Sequence, residues 1–233
     1  MTTPHPPNRI SALPRYELVR SPEGLYSTSI GGFYSVTTIL DGSRDNSGLL
    51  EWRESVGEER ARFICDLACF RGTNHHAAVE RFLTDATEPE FDFLQTPYWK
   101  SVRPFLSTVD RPLLLEGAVW HPDGFAGTLD CIAYMADDLD QPTLCDWKTA
   151  LSYRNKSKMY EYSLQVAAYT AAANYLYKSS GLCIERAMIV VALPDESPQI
   201  EVLHKDALEQ LYKHFQARIQ RFTYARTTKR KGK

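Results

Sequence analysis

The sequence predicts a single α/β domain with a mixed central sheet flanked by helices. Five short apolar, β-branched runs crowd into residues 113–205, and an alanine-rich helical stretch interrupts them. Neither an internal repeat nor an interdomain linker divides the chain. Its 233 residues, 43% of them hydrophobic, are enough for one packed core.

Taken in order, residues 1–15 are rich in Pro, Thr and Asn and read as a loose arm, with the domain spanning 16–228. "FYSVTTIL" (33–40) has strand composition, yet its Ser-Val-Thr-Thr could equally cap a helix. A helical region over 49–83 should break or bend at Gly57 and Gly72, because glycine costs a helix interior about 1 kcal/mol. Pro89 and Pro97 lead into a helix near 98–109. "LLLEGAVW" (113–120), "FAGTLDCIAYM" (125–135) and "PTLCDWKTA" (142–150) then read as three strands joined by the turn-forming "HPDG" and "ADDLDQ". Connections this short imply an antiparallel meander. A helix over 159–177, strands over 183–193 and 198–205, a helix over 206–224 and a basic tail over 229–233 complete the order α-βββ-α-β-β-α.

A formal charge of -2 argues for no partner, so any nucleic-acid contact must come from local patches. The five cysteines form no CxxC pair, which favours a reducing compartment without structural disulfides. Cys65 and Cys69, four apart on a helix, read as core thiols in preference to a metal half-site. No run reaches membrane-spanning length. The first sixteen residues carry arginines and no acid, as organelle transit peptides do, but Pro4, Pro6 and Pro7 oppose an amphipathic helix. The cytoplasm of a bacterium, or of its phage-infected cell, is the default compartment.

The chemistry concentrates around "TLCDWKTA". In a strand Asp146 and Lys148 share one face while Cys145 and Trp147 share the other. Alone, that pair is a surface ion pair worth about 0.5 kcal/mol. Asp130, on the neighbouring strand after Gly127, can lie beside Asp146, unless it is merely a turn-facing acid. Two carboxylates so placed repel unless a cation intervenes, and hard oxygen ligands select Mg²⁺ or Mn²⁺. On the 49–83 helix, His76 and Glu80 share a side with Val79 and Leu83, which should face the core. His75 then points about 100° away, toward solvent. His76 is either a hydrogen-bonded core histidine or a metal ligand. Gln165 and Tyr169 are an i, i+4 pair suited to contact with a phosphate or scissile strand. Arg154, Lys156 and Lys158 form an acid-free basic stretch that is either a solvated loop or a phosphate guide.

In sequence order these residues read G-T-x-x-H-x-x-x-E (72–80), E (116), G-x-x-D (127–130), D-x-K (146–148) and Q-x-x-x-Y (165–169). With "SVTTIL" and "LLEWRESVGEERA", they resemble the RecB-type exonuclease branch of the PD-(D/E)xK nuclease superfamily. Within it, the chain is similar to single-domain phage and bacterial exonucleases and to the mitochondrial genome-maintenance exonuclease. The resemblance covers residues 71–169 and implies a restriction-endonuclease-like core. It implies a catalytic Mg²⁺ or Mn²⁺ held by Asp130, Asp146, the Trp147 backbone carbonyl and His76, with Glu116 as a further candidate and Glu80 behind them. Lys148 would position the attacking water, and Gln165 and Tyr169 would hold DNA near the cut, with Arg154, Lys156 and Lys158 along its backbone.

The implied activity is a metal-dependent DNA exonuclease acting on single strands or free ends in repair, recombination or replication, alongside separate proteins of those processes. The alternatives are an endonuclease of the same fold and a non-cleaving nucleic-acid binder. Asp146 stands where many relatives carry Glu. The four-cysteine framework of some relatives is missing, so no iron–sulfur cluster is expected, and no P-loop motif occurs.

Overall fold

Alternation along the strands decides what each face of the sheet meets. Cys131, Ala133, Met135, Cys145, Trp147, Met188, Val190 and Ala192 pack on one side, against Val79, Tyr98, Trp99, Val102 and Leu106. Ile132, Tyr134, Leu144, Ala187, Ile189 and Val191 pack on the other, against Val36, Ile39, Leu164, Ala168, Phe215 and Phe222. Period-two burial of this kind places helices on both faces, giving the predicted α/β architecture. The computed structural model describes residues 10–21, 24–90, 95–194 and 196–231, with side chains to 227.

Six α-helices and eight strands occur among the described residues. Strands β1 (Val19–Arg20), β2 (Tyr26–Thr28) and β3 (Gly31–Ser35) lead into α1 (Val36–Ser43), α2 (Ser47–Val56), α3 (Glu58–Asp85) and α4 (Thr96–Leu106). The meander follows as β4 (Val109–His121), β5 (Phe125–Met135) and β6 (Asp138–Thr149), then α5 (Lys156–Leu176), β7 (Arg186–Ala192), β8 (Gln199–His204) and α6 (Lys205–Lys231). Strands β4–β5, β5–β6 and β7–β8 pair antiparallel, whereas β6–β7 and β3–β5 are parallel, so the sheet is mixed. The parallel β6–β7 step is bridged by α5, whose alanines allow close packing on the sheet.

"FYSVTTIL" is both of the alternatives it suggested. Its first half is β3, and Ser35 accepts a hydrogen bond from Thr38 N–H as the N-cap of α1. Gly57, with φ of 84°, separates α2 from α3 as expected. Gly72 does not: α3 runs through it unbroken, since one glycine only weakens a long helix held elsewhere. The arm also differs from expectation over residues 10–15, while 1–9 lie outside the described residues. Leu13 is buried and its N–H donates to Leu113 O, Tyr177 Oη donates to Pro14 O, and Ala118 N–H donates to Tyr16 O. This segment therefore straps the free edge of β4, which supplies the backbone partners an edge strand lacks. At the other end α6 continues through Lys231, and positions 232–233 lie outside the described residues.

The core-thiol expectation fails for both residues it named, since Cys69 is exposed and Cys65 half-buried, whereas Cys131 and Cys145 are buried and Cys183 is exposed. All five are free. Cys65 and Cys69 lie on the outward part of α3, whose Phe63, Leu67 and Phe70 are exposed as well. Among the described residues, no helix is long and apolar enough to cross a membrane.

Candidate active site

A strand has two edges, and the two edges of β5 are occupied unequally. β4 pairs with it from Phe125 to Met135. On the opposite edge β3 reaches only Phe125 and Ala126, while β6 pairs from Cys131 onward. Residues 127–130 therefore face a gap between two strands. At its far side β6 continues through Asp146, Trp147 and Lys148, paired only to β7. The Trp147 N–H, left without a β5 carbonyl, donates to Asp130 Oδ2 at 2.7 Å.

Four elements aim side chains at this gap. His76 of α3 places Nδ1 3.4 Å from Asp130 Oδ1 and 3.4 Å from Glu116 Oε1. The ligand atoms of His76, Glu116 and Asp130 all lie within 4.8 Å of one another, as one metal ion would require. Glu116 reaches the cluster from a left-handed backbone, φ of 44°, a conformation that is unfavourable for a residue with a Cβ. Strain of this kind persists only where surrounding structure imposes it, and it recurs at functional sites.

Asp146 and Lys148 share a face, as the alternation predicts, but they touch directly. Lys148 Nζ lies 2.5 Å from Asp146 Oδ2, as an ion pair poorly aligned for a hydrogen bond. Asp146 Oδ1 is buried and meets no hydrogen-bond partner among the described residues. Burial raises the Asp146 carboxyl to about 6, with Lys148 opposing that rise and Asp130 adding to it. Asp130 is also buried, which works to raise its pKa, but His76, Lys148 and the Trp147 N–H together hold it below the ordinary value. Burial disfavours the His76 cation, yet Asp130 and Glu116 overcome that and lift it to about 10. The Lys148 ammonium is held in its charged form by Asp146 and Asp130 despite its burial.

Helix α5 closes the site. A Cβ at Gly127 would stand 2.8 Å from Tyr169 Cε1 and 3.0 Å from its Oη, so the glycine makes room for a tyrosine rather than for a substrate. Tyr169 is buried, and Gln165, one turn before it on α5, is half-buried. One turn earlier, the Tyr162 ring lies 5.5 Å beneath Lys148 Nζ. Sequence alone does not single out Tyr162; its offset of seven from Tyr169, two helical turns, is the available signal.

The two histidines exchange their expected environments. His75 is the buried one, 1% exposed, and His76 is half-buried. The i, i+4 argument places His76 beside Val79 and Glu80, but on α3 residues 75, 78 and 79 form the buried stripe. Burial pushes His75 down to about 3, and its Nε2 has no partner among the described residues. Glu80 does not reach the cluster, since its carboxylate is engaged by Arg15 at 2.9 Å. Arg154 is tied by its backbone to Gln199, and Asn155 caps α5, so Lys156 and Lys158 sit in the first helical turn. Cations there oppose the helix dipole, an arrangement that an incoming anion would relieve.

No family model and no curated protein matches this chain. Among solved structures it is similar to SSO0001, at 16% identity over 78% of this chain and 73% of that one, with a TM-score of 0.38. It is also similar to a candidate exonuclease from Eubacterium rectale, at 14% identity over 67% of this chain and 66% of that one, with a TM-score of 0.45. Neither likeness assigns a role to any residue here.

Proposed function

We propose that this protein is a metal-dependent nuclease, an exonuclease that hydrolyses DNA phosphodiester bonds from single-stranded or free ends. The observation that carries the reading is the buried Asp146. It has an unpartnered carboxylate oxygen and a lysine on the other one, beside a His76–Glu116–Asp130 cluster of ligand spacing. A buried carboxylate oxygen without a donor is unfavourable by about 1–3 kcal/mol, more when charged, and a cation relieves it. The donor set is mostly carboxylate with one imidazole, which suits Mg²⁺ and, through the nitrogen, Mn²⁺.

When bound, a divalent cation polarises the phosphate and acidifies water. Asp130, His76, Glu116 and Asp146 would hold it, and the Trp147 carbonyl shares the strand edge from which its N–H reaches Asp130. Lys148 stays an ammonium, so it orients the attacking water as a donor and stabilises charge developing on the phosphate. Asp146 fixes that ammonium from one side and the Tyr162 ring from the other. Gln165, half-buried one turn before the buried Tyr169, would meet the strand. Lys156, Lys158 and Arg154 would guide the backbone phosphates from the start of α5.

End-labelled single- and double-stranded DNA incubated with Mg²⁺ or Mn²⁺ tests this, beside Asp146→Ala and Lys148→Ala. Wild-type degradation from ends, lost in both variants, is expected. No cleavage of any DNA with either metal rejects the enzyme reading and leaves a binding protein. Cleavage of closed circles moves it to the endonucleases.

A further inference from the structure

A cavity of about 490 Å³ opens beside the cluster, lined by Arg15, Thr73, His76, Glu80 and Glu116 among others. That volume lies in the range of small-ligand sites, roughly 300–1,000 Å³. Because His76 and Glu116 belong to both, a group seated in the cavity adjoins whatever the cluster holds. Two of the lining side chains are carboxylates, which would repel a phosphate. Arg15 is the lining residue that bears a permanent positive charge.

Its placement is built into the fold. The backbone around Arg15 is fixed by the Leu13 N–H on Leu113 O, by Tyr177 Oη on Pro14 O and by the Ala118 N–H on Tyr16 O. The Tyr16 ring is set against Trp120 at 5.3 Å and Tyr177 at 6.0 Å. The strap thus holds the residues on either side of Arg15 while its side chain remains 54% exposed. The one ion pair it makes among the described residues, with Glu80, is itself exposed, and pairs of that kind contribute little to stability. A guanidinium has five N–H donors in a planar fork that matches phosphate oxygens, and Glu80 engages only NH1.

We infer that Arg15 is a substrate-positioning residue whose guanidinium seats the phosphate next to the scissile one inside this cavity. The inference rests on the nuclease reading and adds to it a contact from outside the motif-bearing segment 71–169.

Binding of a fluorescent single-stranded oligonucleotide, followed by anisotropy with Ca²⁺ in place of Mg²⁺ and at several salt concentrations, tests it without requiring turnover. Arg15→Ala should weaken binding about three- to tenfold and lower the log–log salt slope by about 0.7, the share of one phosphate contact on a single strand. Arg15→Lys should keep the slope and recover part of the affinity. Glu80→Gln breaks the same ion pair but leaves the guanidinium, so it should bind at least as well as wild type. An unchanged affinity and slope in Arg15→Ala, with wild type binding normally, overturns the inference alone. Equal losses in Arg15→Ala and Glu80→Gln also overturn it, since Arg15 would then only tie the strap to α3. Failure of wild type to bind any DNA removes the nuclease reading and this inference together.

Discussion

Gly127→Ala isolates one packing relation between the gap and α5. The added Cβ would sit 2.8 Å from Tyr169 Cε1, closer than real Cβ contacts allow, and 3.0 Å from Oη. Tyr169 is 4% exposed, so a ring displaced by the new Cβ must move within the buried interior. Overpacking a filled site costs about 1–3 kcal/mol. For a chain of this size that corresponds to a melting shift of about 2–12 °C. Chemical denaturation of wild type, Gly127→Ala, Tyr169→Ala and the double variant measures the effect as a cycle. Tyr169→Ala alone should cost about 3–5 kcal/mol as a cavity. In that background the alanine at 127 should cost almost nothing, giving a coupling of about 1–3 kcal/mol. A Gly127→Ala penalty of equal size in both backgrounds would refute the claim that the glycine exists to admit the tyrosine ring.

Three further outcomes are expected. Titrating Mn²⁺ should raise the unfolding free energy by about 2.7 kcal/mol at a hundredfold excess over Kd, an effect abolished in Asp130→Ala and visible by calorimetry. Glu116→Gly should be about 1 kcal/mol more stable than Glu116→Ala, the reverse of the usual ranking, because position 116 has a φ of 44°; denaturant midpoints showing alanine ahead would remove the strain argument. His75, pushed down to about 3 by burial, binds no proton in the native state between pH 6.5 and 3 while the unfolded chain does. Its contribution is complete above 6.5 and falls with decreasing pH by up to about 1.4 kcal/mol per unit. His75→Gln should therefore flatten the stability-versus-pH curve in that window relative to wild type, and parallel curves would contradict the burial.

Much of the fold was legible because strand and helix periods speak locally. The meander, the alanine-rich helix and the face shared by Asp146 and Lys148 all follow from spacing within a dozen residues. What was not legible depended on non-local geometry. Residues 10–15 read as loose because their partners, Arg111, Leu113 and Tyr177, lie a hundred or more residues away. The exchange of His75 and His76 depends on which side of α3 the rest of the fold covers, which periodicity along one helix does not fix. The role of Gly127 belongs to the same class, since a glycine announces a close approach without saying of what. Glu116 could be named from sequence, but the backbone conformation that aims it could not.

The hydrogen bond from the Trp147 amide to Asp130 gives the site a property of its own. Elsewhere β6 is held by backbone groups indifferent to solution conditions, but here a strand proton is secured by an ionisable side chain. Under the proposed metal site, the solvent exchange of that single amide would report on whether Asp130 is protonated or drawn toward a cation. Local opening of the strand and occupancy of the cluster would then be two readings of one equilibrium.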